Sequence, residues 1–196
     1  MTNDSTTLTY LLPVAASLPL QDAALDAMLQ SLIAGVTGLP SSAFQSQWPA
    51  TVPPTPDPSQ NWCAIGVTAI DKDFATTVMH AGNDDGTDEF YRDEILTVLA
   101  SFYGPAGMQY ASQTGDGLFV AQNQDMLTQN SMGLVDIGSI VTNALQSLTT
   151  QQWTVRYDLT FRLRRQVHRT YKVLNILSAH GSIDNDPDTQ PFVVQQ

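Results

Sequence analysis

The stretch that most constrains the fold of this chain is WTVRYDLTFRLRRQVHRTYK, residues 153–172. In it Val155, Tyr157, Leu159, Phe161 and Leu163 alternate with Arg156, Asp158, Thr160, Arg162 and Arg164. Alternation of this length specifies a β-strand with one face in a core and the other turned outward, because successive side chains of a strand point to opposite faces. The spacing places Arg156, Arg162 and Arg164 on the outer face. Past Leu163 the pattern breaks, since Arg165 and Arg169 fall in the apolar phase. That break predicts a strand that leaves the core there, through a bulge or by projecting beyond the sheet.

The same stretch holds six of the eight lysines and arginines, with Asp158 its only acid, in a chain of formal net charge −11. The remaining residues carry two positive and eighteen negative charges. A charged strand can simply protect a solvated sheet edge. The sharper reading is a contact surface for an acidic partner, formed by Arg156, Arg162, Arg164, Arg165, Arg169 and Lys172. A neighbouring copy of so acidic a chain would serve, and the acidic turn at Asp84, Asp85, Asp88 and Glu89 is the expected counterpart.

At 196 residues the chain is long enough for one sizeable core. The expected organisation is a single α+β domain over 1–196, with an N-terminal arm at 1–17, a proline-rich loop at 40–60 and an acidic tail at 182–196. The net charge argues against free binding to nucleic acid or to an anionic membrane. The N-terminus lacks a basic start, and its short apolar run is broken by Pro13, against a secretory signal. No run approaches the roughly 18 apolar residues of a membrane span. The lone Cys63 excludes an intramolecular disulfide. Together these features predict folding in a reducing cytosol.

Apolar residues at Leu25, Met28, Leu29, Leu32, Ile33 and Val36 have the spacing of one helix face. Ser17 is the expected cap, and Gly38 with Pro40 the stop. Six of the eleven prolines then fall in residues 40–60, predicting an extended, solvated loop that Trp48 pins to the body. WCAIGVTAI and FATTVMH read as strands, AGNDDGTDE as a turn, and FYRDEILTVLASFY as the returning strand. In that last strand Leu96, Val98, Ala100 and Phe102 share a face while Ile95 and Leu99 take the other, which marks it as the sheet centre. Residues 104–133 switch to helical spacing, with Met108, Ala111, Leu118 and Phe119 on one side, a break near 115–117 and a second short helix ending at Gly133. LVDIGSIV reads as a strand, and VLNILSAHGSI as a last strand or an extended arm. The order points to a mostly antiparallel sheet packed by two or three helices.

Catalytic chemistry finds little support in the residues. If Asn83, Asp85 and Gly86 are set on positions three, five and six of a calcium-binding EF-hand loop, Ala81 falls first and Arg92 twelfth, where acids are required. His80, His168 and His180 lack metal-ligand spacing among themselves or with Cys63. Cys63 sits in a predicted strand, as a small buried thiol does. GPAG and GDG lack the spacing and lysine of a phosphate loop. The expectation is a protein without catalytic residues, metal or cofactor.

Four stretches, NWCAIGV at 61–67, EILTVLASFYGP at 94–105, GDGLFVAQNQDML at 115–127 and QQWTVRYDLTFRLRRQVHRTYKVLNILSAHG at 151–181, carry a resemblance to the neck or tail terminator proteins of long-tailed bacteriophages. Together they cover most of residues 61–181. The resemblance implies a virion structural protein at the head-tail junction, assembled in the host cytoplasm as a ring, typically a hexamer. Such a ring caps the tail tube protein, offers its other face to a head-side connector or adaptor, and passes genomic DNA through its lumen as cargo. It implies no membrane partner and no site residues that carry over. An adjoining connector ring, or an accessory nucleic-acid-binding protein using the 156–172 cations, are the alternatives.

Overall fold

The structure, a computed structural model, describes residues 3–8, 10–14, 19–49, 51, 56–82, 86–146, 153–176, 178–185 and 188–195. It has an α+β architecture whose principal sheet is mostly antiparallel. By its internal packing the chain divides into two units, one of residues Leu20–Phe74 and Asp93–Gln166, the other of Met1–Pro19, Ala75–Arg92 and Val167–Gln196.

In the first unit, helix α1 (Asp22–Thr37) buries Leu25, Met28, Leu29, Leu32 and Ile33, the stripe expected from their spacing. Ser17 lies outside the described residues, and the helix opens at Gln21, with Asp22 placing a negative charge at the positive end of the helix dipole. Gly38 ends the helix in the left-handed conformation (φ 73°), its amide donating to the Ala34 carbonyl at 2.8 Å. The proline-rich stretch is not extended from its start. A 3-10 turn (Ser41–Ala43) leads into β1 (Phe44–Ser46), which pairs parallel to β2 (Trp62–Lys72), because Phe44 is drawn into the core. Trp48 lies over Gly66, where an added Cβ would stand 3.3 Å from the indole.

Strand β3 (Thr77–Ala81) and β4 (Thr87–Tyr103) form the expected hairpin. The strand order β1-β2-β4-β6-β5 puts β4 in the middle. Leu96, Val98, Ala100 and Phe102 are buried, while Ile95 and Leu99 are half-buried on the other face. After Gly104, α2 (Gly107–Gly117) and α3 (Ala121–Gln129) are separated by residues 118–120, just past the break expected at 115–117, because α2 runs through Gly115 and Gly117. Two further details differ from expectation. Met108 and Phe119 are exposed, leaving Ala111, Leu118 and Leu127 to face the core, and α3 ends at Gln129 rather than at Gly133, which already belongs to β5 (Met132–Gln146).

Strand β6 (Trp153–Tyr171) is the longest element and pairs antiparallel with β5. Leu159, Phe161 and Leu163 are buried, as their alternation requires, whereas Tyr157 is half-buried and Val155 is 37% exposed near the strand's start. The predicted departure from the core after Leu163 does not occur. Arg165 (3% exposed) and Val167 (2%) continue the inward phase. Contacts Glu94–Arg165 and Ser101–Asp158 run in opposite senses along β4 and β6, so these neighbours are antiparallel too. One sheet face is thus covered by α1, α2 and α3 over a single apolar cluster. Among the described residues no helix packs on the other face, which bears Ile95, Thr97, Leu99, Thr160, Arg162 and Arg164.

In the second unit the expected acidic tail instead forms a two-stranded antiparallel sheet, β7 (Ser178–Asn185) with β8 (Asp188–Gln195). The N-terminal segment is tied to the end of β6: the Ser5 amide donates to the Lys172 carbonyl at 2.9 Å, and the Val14 amide to the Thr170 carbonyl at 2.8 Å.

Candidate interaction surface

All eight cations of the chain sit on β2, β4 and β6 or on the residue that follows β6. Within the first unit, three of the β6 arginines are matched by the chain's own acids. Arg165 meets Glu94 in the interior: its Nε and Nη2 donate to Glu94 Oε2 at 3.1 and 2.9 Å, and its Nη1 donates to the Leu20 carbonyl at 2.6 Å. Their side chains are 2% and 3% exposed. A buried charge persists only when paired and hydrogen-bonded. This pairing explains why an arginine can hold an apolar-phase position. The same phase logic puts Glu94 inward on β4, with exposed Asp93 on the opposite face.

On the outer face, Arg162 makes a two-pronged pair with Asp136 of β5, Nε donating to Oδ1 at 2.9 Å and Nη2 to Oδ2. This bond to the Arg162 guanidinium holds the Asp136 carboxyl below its usual range. At the far end of the strand Asp158 is buried, not outward-exposed as the alternation predicts. It accepts from Ser101 Oγ (2.5 Å), Asn143 Nδ2 (2.6 Å) and Arg156 Nη2 (2.9 Å). These bonds satisfy its lone pairs away from water.

Arg164 differs from these three. It is exposed, and among the described residues it has no ion-pair partner. It shares a surface hollow with Ile95, Val135, Asp73 and Asp93. In the second unit, half-buried Arg169 and exposed Lys172 likewise have no ion-pair partner among the described residues.

The acidic counterpart is only partly placed. Asp84 and Asp85 lie outside the described residues. Asp88 bonds His80 Nδ1 at 2.6 Å, while His80 Nε2 contacts Asn175 Oδ1 at 2.6 Å. The Asp88 bond, with help from Asn175, raises the His80 pKa above its usual value. Glu89 accepts from the Tyr91 hydroxyl at 2.5 Å and lies 3.8 Å from His168 Nε2, whose ring stacks on Tyr91. Both acids are therefore engaged within their own unit. Sequence reading missed Asp136, Asp158 and Glu94 as partners of the arginines. Asp136 had a latent signal, since it stands directly across from Arg162 once β5 and β6 are in register.

Among the described residues no three His, Cys, Asp or Glu side chains are placed to hold a metal, and no helix is long and apolar enough to cross a membrane. Cys63 is fully buried, and desolvation pushes its thiol pKa far up. The described geometry thus displays a charged sheet face backed by a helix-covered core. Residues 23–188 match the family model of the phage neck terminator proteins, and the chain belongs to that family. No curated protein matches it. Membership makes it a structural component of the phage neck, and hence of the virion.

Proposed function

We propose that copies of this chain assemble into a closed ring, six as the resemblance implies, that terminates the tail tube and joins it to a head-side connector while genomic DNA passes through the lumen. The family match over residues 23–188 carries this reading. Ring closure needs heterologous contacts, in which one patch on each copy meets a different patch on the next. An open sheet face and a separate helix-covered face on one unit supply two such patches. A net charge of −11 suits a conduit, because phosphates do not adhere to an acidic lumen. Of the arginine cluster, Arg164, Arg169 and Lys172 are assigned to protein neighbours, whereas Arg156 and Arg162 are already matched by the chain's own acids and Arg165 is buried against Glu94, so that these three neither hold phosphate nor reach a partner. The hairpin tip around Asp84, Asp85, Asp88 and Glu89 remains part of the proposed contact surface.

The test is the mass of the purified chain across concentration and salt, with imaging of any assemblies. Closed rings are expected. A chain that stays monomeric at high concentration, and binds DNA with strong salt dependence at physiological ionic strength, would replace the ring with a nucleic-acid-binding role.

A further inference from the structure

The helix-covered side of the first unit is uniformly acidic. Helices α1, α2 and α3 carry Asp22, Asp26, Asp116 and Asp125 and no lysine or arginine. The connecting residues 38–61 and 104–131 add no cation either. Two such sides repel each other, so a pairing of helix layer with helix layer is disfavoured. Any charge-favourable contact of this layer with another copy must reach a strand or the residue that follows β6, where all the cations are. On this unit's strands the exposed cation without a partner among the described residues is Arg164.

Apolar exposure marks the same two places. On the helix side Met108 is 61% exposed, Phe119 67% and Val120 51%, and Met108, Val120 and Asp116 line one groove. On the open sheet face Val135 is 41% exposed and Val141 53%, with Val135 in the hollow beside Arg164. The apolar lining that Met108 and Val120 give the groove, and Val135 the hollow beside Arg164, suits a protein contact.

We infer that the helix layer of one copy, around Met108, Asp116 and Val120, docks on the open sheet face of the next copy around Arg164. The inference rests on the ring reading and supplies its polarity: head to tail, acidic helices on a basic point of the sheet. Apolar contact holds the copies together and the charges set register, because exposed ion pairs are individually weak. Asp73 and Asp93 line the hollow too. A neighbour's carboxylate is therefore welcome at Arg164 and repelled a short way off, which narrows the allowed register.

The test uses full chains with one added cysteine each, on the background of buried Cys63. Ser112→Cys on α2 is mixed with Val135→Cys on β5, and in parallel Met108→Cys with Val141→Cys, each with a short bis-maleimide, while assembly mass is followed on the same samples. The expected result is a cross-linked dimer in each mixture and none in any variant alone. Arg164→Glu should raise the concentration needed for assembly roughly tenfold, and Asp116→Arg added to it should recover most of that loss. Rings that form without either mixed cross-link, or with equal cross-linking in single variants, would overturn the inference and leave the ring reading standing. Monomers without cross-links at every concentration would overturn both.

Discussion

The buried pair of Arg165 and Glu94 yields the sharpest test of how this sheet tolerates charge in its interior. Arg165→Met keeps the stem volume but removes both guanidinium donors from a carboxylate that is 3% exposed. Breaking one side of a buried pair costs about 3–5 kcal/mol. The Leu20 carbonyl also loses its donor, worth about 1 kcal/mol. Against these, Lys72 lies 3.9 Å from Glu94 Oε1, but it is 53% exposed and offsets at most about 1 kcal/mol. The net expectation is a loss of roughly 3–5 kcal/mol. In urea unfolding followed by tryptophan fluorescence, with a slope of about 2 kcal/mol per M, the midpoint should fall by roughly 1.5–2.5 M. The double variant Arg165→Met with Glu94→Met leaves no buried charge and frees Lys72 to solvent, so it should lie within about 1 kcal/mol of the parent. A single variant that loses under about 1 kcal/mol, or a double variant no better than the single, would refute the reasoning.

Three further outcomes follow from local geometry. Gly104 (φ +97°) leaves no room for a side chain, since a Cβ would stand 2.3 Å from the Gln60 carbonyl oxygen; Gly104→Ala should destabilise by about 2 kcal/mol or more in the same unfolding assay. The raised His80 pKa means that its bond to Asp88 favours the fold fully below the ordinary histidine value near 6.5 and is lost as pH rises through the folded value. NMR titration should show His80 titrating above free histidine, with Asp88→Asn returning it toward the ordinary value. Cys63, buried and with its thiol pKa driven up chiefly by desolvation, should resist a maleimide in the native state and react at once in denaturant; rapid native labelling would contradict the described packing.

Much of the fold could be read from side-chain period alone. The 3.6-residue stripe of Leu25 to Ile33 and the two-residue alternation in β4 and β6 each state which residues face the core, because that relation is local to the backbone geometry. The central place of β4 followed from apolar residues on both of its faces. Where hydrophobic phase and charge disagreed, the sequence could not arbitrate. Arg165 is inward by phase and outward by charge, and the choice was made by Glu94, which lies 71 residues away in the chain.

The candidate surface divides in the same manner. The concentration of cations on residues 156–172 is a property of the sequence itself, and the outward direction of Arg162 and Arg164 follows from alternation. Which of those cations remain available to a partner is a tertiary fact. It depends on the register that sets Asp136 across from Arg162, on the packing of Ser101 and Asn143 around Asp158, and on the helix layer that lacks any cation. Period and composition are written along one chain, whereas neutralisation is a matter of distance between residues far apart in it, and only the folded arrangement supplies that distance.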